Sequence, residues 1–299
     1  MRIAYSMKEV GKKQGEMGKK QEYWREYWKY QGRQSSVALE GAGIVDFVHQ
    51  HLPKGPAKVL EIGTGAGGLA EALKKKNRKM DLHGIDIHLP ENRTKLTDNY
   101  AQATGEKLPF KDGSFDAAYS TFTLEYTNME ETVKELWRVL KPGAKVALIL
   151  HRKNSDIGNK MEHEYNKAAL QLKFRHRELA HGIADEKRLQ EVESSIMSYQ
   201  NTVSDNAPLI TAIKRAFENP DEAKEFFEDY GFKVEHAQLY TSPPHGHWVE
   251  SRMGISMVMT KTPKKGARKK KAHPPEPLET EIAPADEKEN EMDYYLHGD

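Results

Sequence analysis

The chain has no cysteine among its 299 residues. This absence excludes thiolate-ligated zinc and covalent catalysis through a cysteine nucleophile, such as attack on pyrimidine C5. Long apolar runs are also missing, because no segment approaches the roughly 18 to 20 apolar residues that a membrane span needs. The polar, lysine-rich segment 1–20 has no signal-peptide core. The sequence therefore predicts a cytoplasmic protein.

A strong net charge is missing as well, since 46 Lys and Arg residues stand against 45 Asp and Glu residues. This balance gives no general attraction to nucleic acid or to an anionic membrane, so any such binding must be local. We therefore expect no membrane partner, and we do not favour nucleic acid as a partner. The hydrophobic content of 37% suffices for one substantial core, and we expect one decorated domain.

A glycine-rich turn follows the first predicted strand, in the sequence VLEIGTGAGG over 59–68. Glycines let the backbone bend sharply and approach a ligand, and the helix predicted after them directs unpaired N–H groups at it. Gly63, Gly65 and Gly68 fit the G-x-G-x-x-G spacing of a dinucleotide site, and Asp86 lies where such a site has its ribose-binding acid. The turn predicts a nucleotide-like cofactor and does not by itself identify its class.

Further motifs follow the turn in a fixed order: GIDI from residue 84, ATGEKLPFKDGSFDAAYS from residue 103 and LKPGAKVALIL from residue 140. Together with Glu61, two residues before the first glycine, this series resembles the class I S-adenosylmethionine-dependent methyltransferases, in particular the methyltransferase type 11-like branch. The resemblance covers residues 59–150. It implies methyltransferase activity with S-adenosyl-L-methionine as cofactor. The glycine spacing alone leaves an NAD-dependent oxidoreductase as a distant alternative.

The resemblance also implies which residues hold the cofactor. They are Glu61, Gly63, Thr64, Gly65, Ala66, Asp86, Ile87, Thr104, Gly105 and Glu106. Glu61 would hold the ammonium group of the methionine part, Asp86 would accept from the ribose hydroxyls, and Ile87 would lie against the adenine. The family commonly has an acid two residues before the glutamate of its E-x-LPF motif. Here Thr104 occupies that position, so a hydroxyl or a backbone carbonyl must accept the hydrogen bond from the adenine amino group.

Alternating apolar strands and helices after Val59 predict a parallel sheet covered by helices. The predicted strands are 59–62, 82–87, 115–121, 145–150, 233–240 and 254–260. With the resemblance, the fold class is α/β: a Rossmann-like, doubly wound, seven-stranded sheet with a terminal antiparallel hairpin and a helical cap insertion. The expected parts are N-terminal helices over 1–55, the methyltransferase core over 56–155 and 218–262, the cap over 156–217, and a disordered charged tail over 263–299.

Two groups of residues are candidates for acceptor binding. Tyr23, Tyr27 and Trp28 lie in a probable N-terminal helix with aromatic pairs at helical spacing, which either packs on the domain or lines the acceptor pocket. Glu125 and Tyr126 follow the strand 115–121 and are either acceptor contacts or ordinary residues at a helix start. The cap is expected to cover the acceptor, and a dimerisation arm or plain decoration is the alternative.

Histidines are the candidate general bases, because their pKa lies near neutral pH. His151 lies at the carboxyl end of the predicted strand 145–150, while His245 and His247 lie in the loop after the strand 233–240, at the same edge of the sheet. For each of them the alternative is an ordinary surface histidine, since the chain has 13. The histidines of the cap show no compact metal spacing, which predicts a metal-independent enzyme.

The sequence thus favours a methyltransferase that transfers the methyl group to an O or N atom of a small-molecule acceptor by in-line displacement. One alternative is an RNA or protein methyltransferase that uses the basic segment 264–271. Another is a non-catalytic protein that binds S-adenosylmethionine. The sequence predicts no particular oligomeric state.

Overall fold

A computed structural model of the protein describes residue 18 and residues 21–25, 43–91, 93, 99–242 and 251–263. These residues belong to one compact unit. The predicted contacts of Tyr27, Trp28, His245 and His247, the basic segment 264–271 and nearly all of the charged tail lie outside the described residues.

Seven strands form one sheet in the order β3-β2-β1-β4-β5-β7-β6. The strands are β1 Ala57–Ile62, β2 Met80–Asp86, β3 Tyr100–Gln102, β4 Phe115–Thr121, β5 Leu140–His151, β6 Phe232–Ser242 and β7 Ser251–Lys261. β7 is antiparallel to both β5 and β6, whereas the pairs from β3 through β5 are parallel. The doubly wound sheet with its terminal antiparallel hairpin is therefore confirmed.

Helices cover both faces of this sheet. They are α1 Ile44–His51, α2 Gly68–Lys76, α3 Met129–Val139, α4 Asp156–Ala180, α5 Glu186–Arg215 and α6 Pro220–Asp229, and a 3₁₀ turn spans Leu124–Tyr126. Successive side chains of β1 point to opposite faces of the sheet, so the core has two halves. Val59 packs with α1 and α2 on one face, and Leu60 packs with α3 and α6 on the other. The parallel strands thus bring their carboxyl ends to one edge, where open sheets of this kind bind ligands.

Three local features differ from the sequence-based predictions. Strand β3 was not located, because three residues with no buried side chain give no apolar alternation. Helix α2 begins at Gly68, so this glycine is helical and the turn uses Gly67 instead. The segment Lys141-Pro142-Gly143 is an irregular part of β5, where the pairing shifts between Phe115 and Ala117 of β4.

Segment 156–217 contains two long helices, α4 with 25 residues and α5 with 30. Each begins at a side-chain cap: Ser155 accepts a hydrogen bond from the backbone N–H of Gly158, and Asp185 accepts one from Arg188. The two helices pack on each other through small or apolar residues such as Ala168 and Val192, which are buried. α5 also contacts the 3₁₀ turn, which follows the carboxyl end of β4.

Candidate active site

The turn after β1 is built on glycine conformations. Gly63, Gly65 and Gly67 have φ angles of 80°, 50° and 80°, in the left-handed region that favours glycine. The backbone N–H groups of Gly63 and Thr64 both donate to the Ile85 carbonyl at the end of β2, at 2.9 and 3.0 Å. The turn is therefore anchored to the neighbouring strand, and the N-terminus of α2 starts directly behind it. Such an arrangement suits a ligand with anionic or hydrogen-bond-accepting groups.

Glu61 lies at the floor of the turn with only 4% of its surface exposed. The Thr64 hydroxyl donates to its Oε2 at 2.6 Å. Burial raises the pKa of Glu61 to about 8, although the hydroxyls of Thr64 and Tyr119 act in the opposite direction. A buried carboxyl group without a cation beside it is costly to ionise, and a bound ammonium group would provide that cation.

Asp86 ends β2 and connects this strand to the glycine turn. Its Oδ2 accepts from the backbone N–H of Gly65 at 2.8 Å, and its Oδ1 accepts from that of His88 at 3.1 Å. Burial raises the pKa of Asp86, with the backbone hydrogen bonds opposing the shift. Each carboxylate oxygen accepts one protein hydrogen bond and has capacity for another. The pair of oxygens can therefore receive two neighbouring hydroxyls.

The segment after β3 is attached to the same site. The backbone N–H of Ala103 donates to the Asp86 carbonyl at 2.9 Å, which brings Thr104, Gly105 and Glu106 close to Asp86 along the chain. Gly105 is buried against the Thr132 side chain of α3. The Glu106 carboxylate accepts from the backbone N–H of Asn128 at 2.8 Å. Glu106 therefore joins this segment to the start of α3.

Arg138 of α3 holds the LPF motif that follows, a role the sequence-based reasoning missed. Its guanidinium donates to the carbonyls of Leu108 and Phe110, at 3.1 and 2.8 Å, and to Asp112 at 2.8 Å. It also forms two hydrogen bonds with Glu135, and the Glu135 carboxylate accepts in turn from the Leu108 N–H. This Arg138 clamp fixes the loop that leads from the adenine side to β4.

The carboxyl end of β4 carries an unusual backbone conformation. Phe122 has a φ angle of 52°, which is rare for a bulky residue, and its N–H donates to the Ile149 carbonyl of β5 at 2.7 Å. Thr123 follows directly and lies against Gly63, where a Cβ atom would overlap its side chain. The chain thus passes from the cofactor turn to the 3₁₀ turn within a few residues. Strain of this kind is often found at functional sites.

The 3₁₀ turn places Glu125 beside His151 at the end of β5. Glu125 is 1% exposed, and its Oε1 accepts from the backbone N–H of His151 at 2.5 Å and lies 3.9 Å from the imidazole Nε2. Burial raises the pKa of Glu125 to about 7 and lowers that of His151 to about 4. Among the described residues, Oε2 of Glu125 and Nδ1 of His151 are buried without a hydrogen-bond partner. This Glu125–His151 pair retains hydrogen-bonding capacity at the sheet edge.

Aromatic rings surround the pair. The ring centroids of Phe122 and Tyr126 lie 4.6 and 6.2 Å from that of His151. Trp24 of the N-terminal helical segment packs edge-on against Tyr126 at 5.2 Å, and Tyr23 packs against Trp24 at 5.1 Å. Tyr23 and Trp24 therefore extend the aromatic group around His151, and the acceptor-binding role expected for Tyr23 stays a prediction.

In the part of the chain that the structure describes, no group of three or more His, Cys, Asp or Glu side chains could hold a metal ion. Likewise, none of its helices is both long and apolar enough to cross a bilayer.

The site matches the chemistry of S-adenosylmethionine on three independent points. A buried carboxyl group suits its ammonium group, a carboxylate with two accepting oxygens suits its ribose hydroxyls, and a glycine turn at a helix N-terminus permits close backbone contact. The predicted cofactor residues from Glu61 to Glu106 lie together, on β1, β2 and the segment after β3.

Comparison with known proteins agrees with this geometry. Residues 60–148 match a family model described as a methyltransferase domain. A demethylmenaquinone methyltransferase of Thermus thermophilus is 31% identical over 107 residues, which are 33% of this chain and 49% of that protein. A sterol 4-C-methyltransferase of Caenorhabditis elegans is 28% identical over 156 residues, 48% of this chain and 44% of that protein. The chain spans about half the length of these curated relatives.

A solved structure extends the agreement in fold. One chain of the complex between the Haloferax volcanii Trm112 methyltransferase activator and a methyltransferase superposes with a TM-score of 0.52 at 17% identity, over 82% of this chain and 99% of that one. At this identity the likeness concerns the fold alone. Residues 60–148 thus match a methyltransferase domain, and the strand order and the geometry of the candidate cofactor site agree with the Rossmann-like fold of class I S-adenosylmethionine-dependent methyltransferases.

Proposed function

We propose that the protein transfers the methyl group of S-adenosylmethionine to an O or N atom of a small-molecule acceptor. The observation that supports this function is the buried Glu125–His151 pair, which retains unpartnered polar atoms at the carboxyl ends of β4 and β5. The cofactor residues occupy the neighbouring ends of β1 and β2 in the same sheet. Methyl transfer by in-line displacement requires an acceptor bound between the two groups.

Glu125 is the better candidate for the general base. The sequence points to His151, but a pKa of about 4 makes its neutral imidazole a weak base, whereas the pKa of Glu125, about 7, is close to the operating pH. The backbone N–H of His151 fixes Oε1 of Glu125, so Oε2 can accept the acceptor's proton. When bound, the cofactor's sulfonium supplies the electrophilic methyl group, and the protein aligns the acceptor and removes its proton.

The names of the matched relatives support a small acceptor, because they refer to demethylmenaquinone and sterols. One of those names also specifies methylation at carbon, which makes a carbon nucleophile the second candidate. A proton must be lost in either case, and Glu125 would accept it. The alternative of a macromolecular acceptor relies on the basic segment 264–271, which lies outside the described residues.

The function is tested by incubating the full chain with labelled S-adenosylmethionine and a cell metabolite extract, followed by mass spectrometry of the products. We expect label in small molecules and tight binding of S-adenosylhomocysteine. Label found only in protein or RNA would contradict the proposal. Cofactor binding without turnover on any acceptor would favour the non-catalytic alternative.

The base is tested by comparing Glu125→Gln with His151→Asn on the identified acceptor. We expect Glu125→Gln to lower kcat by about a hundredfold or more and to remove the rise of kcat/KM between pH 6 and 8. His151→Asn keeps the backbone N–H, so it should retain that rise. Binding of S-adenosylhomocysteine should be unchanged in both. Loss of the rise in His151→Asn alone would assign the proton to His151.

A further inference from the structure

A row of exposed residues runs along the side of α4 that faces away from α5. It is called the outer row and consists of His163, Lys167, Leu170, Phe174, Arg177 and His181, spaced three or four residues apart. This spacing places the six side chains on one helical face. Ala168 and Leu172, which are more buried, lie on the opposite face toward α5. The outer row is therefore a second, separate face of the helix.

Two large apolar side chains lie at the centre of this row. Leu170 is 50% exposed and Phe174 is 44% exposed, one helical turn apart. Single exposed apolar residues are common, but an adjacent pair on a face that packs on no other described helix calls for a covering surface.

Basic residues outnumber acidic ones around the apolar pair. No acidic residue occurs between Tyr165 and Arg177, whereas this segment contains four Lys or Arg residues. Lys167, Lys173 and Arg177 are exposed and form no ion pair with any residue in the described ranges. The nearest acid, Glu178, lies one turn after Phe174, and its carboxylate accepts hydrogen bonds from Arg175 and Arg188, which compensate its charge. The outer row is thus a local basic surface on a protein of near-zero net charge.

We propose that the outer row of α4 docks the protein on the surface of a phospholipid bilayer that contains anionic lipids. Helices that lie on such surfaces combine basic residues with Leu or Phe that enter the headgroup boundary. Lys167, Lys173 and Arg177 would bind the lipid phosphates, while Leu170 and Phe174 would be covered by acyl chains. The phosphates of an RNA would pair with the basic side chains but leave Leu170 exposed to water. The apolar centre of the row therefore favours lipid over RNA.

The test uses the full chain in co-sedimentation with vesicles of phosphatidylcholine, alone or mixed with phosphatidylglycerol. We expect binding to the mixed vesicles that weakens with added salt. The variant Lys167→Glu/Arg177→Glu should bind the mixed vesicles at least about tenfold more weakly than the wild type does. The control Lys224→Glu/Lys233→Glu makes the same change in net charge at exposed positions on α6 and β6 and should bind as the wild type does.

A second variant tests the apolar centre. Leu170→Gln/Phe174→Gln keeps the charge and good helix propensity, so reduced binding to mixed vesicles would come from lost insertion. Hydrogen exchange of the wild-type chain provides a readout without any variant, because vesicles should protect residues 163–181. No binding to mixed vesicles, or equal loss in the control, would overturn the proposal. Tighter binding to an RNA hairpin than to vesicles would identify nucleic acid, rather than lipid, as the partner of the outer row. A wild-type dimer that dissociates in the Gln variant would identify a second copy of the chain as the partner.

Discussion

Substitutions at two glycines, Gly63 and Gly113, distinguish the free-energy cost of a left-handed backbone conformation from the cost of a steric overlap. Gly63 and Gly113 have φ angles of 80° and 62°, so a side chain at either position would be strained. A Cβ atom at Gly113 would meet no atom within 4 Å, whereas at Gly63 it would overlap Thr123. Gly63 is therefore constrained both by its own conformation and by the chain that leads to the acceptor side.

The first prediction compares Gly63→Ala with Gly113→Ala. The change at Gly113 should lower the free energy of unfolding by about 1 to 2 kcal/mol, the cost of a left-handed residue with a side chain. The change at Gly63 should cost more, because Thr123 must also move, and it should weaken S-adenosylhomocysteine binding at least tenfold. Urea unfolding and isothermal titration calorimetry measure the two effects. Equal unfolding free energies and unchanged affinity in both variants would contradict it.

For single residues, sequence patterns predict site residues that lie at strand ends, but not residues whose role depends on contacts with distant segments of the chain. Glu61 and Asp86 could be placed because each ends a strand beside a recognisable motif. Glu125 was found as a candidate, yet its suitability as a base depends on burial beneath the 3₁₀ turn, which no local pattern encodes. The Arg138 clamp joins segments about 30 residues apart, and its single arginine has no motif of its own.

Among the elements, α3 has the strongest connection to the site, because one of its side chains organises a loop that has little regular structure. Arg138 satisfies two backbone carbonyls of the LPF motif that have no strand partner, and Glu135 satisfies one N–H. The loop therefore depends on side-chain hydrogen bonds for the pairing that a strand would obtain from its neighbour.

The second prediction concerns Arg138→Met, which keeps the helix and the apolar stem but removes the clamp. We expect the free energy of unfolding to fall by about 1 to 2 kcal/mol, since two half-buried carbonyls and the Glu135 carboxylate lose a charged donor. Binding of S-adenosylhomocysteine should also weaken, because the segment 108–112, which directly follows Thr104 to Glu106, is no longer held in place.

Lys134→Met is the matched control on the same helix. Within the described ranges, Lys134 forms ion pairs only with the exposed carboxylates of Glu130 and Glu131, so its loss should cost about 0.5 kcal/mol or less. Chemical unfolding of the three proteins, with calorimetric titration of S-adenosylhomocysteine, measures both quantities. If the two variants behave alike, the clamp does not stabilise the loop.

The elements that the sequence predicted well are the long amphipathic or fully apolar ones. Strand β4 was predicted with its observed bounds, and the helix that the sequence predicts over 129–140 matches α3 to within one residue, because the apolar pattern of each ends at clear polar or Pro-Gly boundaries. Strand β3 has three residues at the edge of the sheet, where tertiary pairing rather than local pattern decides the conformation. The outward face of α4 could be read from helical spacing only once its inner face was known.

For the whole molecule, three buried ionisable groups make stability depend on pH in opposite directions. Glu61 and Glu125 have raised pKa values, about 8 and about 7, while that of His151 is lowered to about 4. The two carboxyls favour the folded state most below about pH 4.5, where both states are protonated. This contribution is lost progressively from about pH 4.5 up to the folded-state pKa values of about 7 and 8, because in that range the unfolded chain has released protons that the folded state still holds. His151 lowers stability below about pH 6.5, where the unfolded chain binds a proton that the folded state does not.

The third prediction is that the unfolding free energy of the cofactor-free protein falls by a few kcal/mol between about pH 6 and 9, and that Glu61→Gln removes much of this fall. Glutamine cannot ionise, so the buried site no longer carries a charge penalty at high pH. Glu130→Gln, at a carboxyl in contact with water, should keep the wild-type profile. Urea unfolding at several pH values measures this.

Because Glu61 is also expected to bind the cofactor's ammonium group, Glu61→Gln should be more stable than the wild type at pH 9 and yet bind S-adenosylmethionine more weakly. A variant that gained stability but retained full affinity would remove Glu61 from the cofactor site.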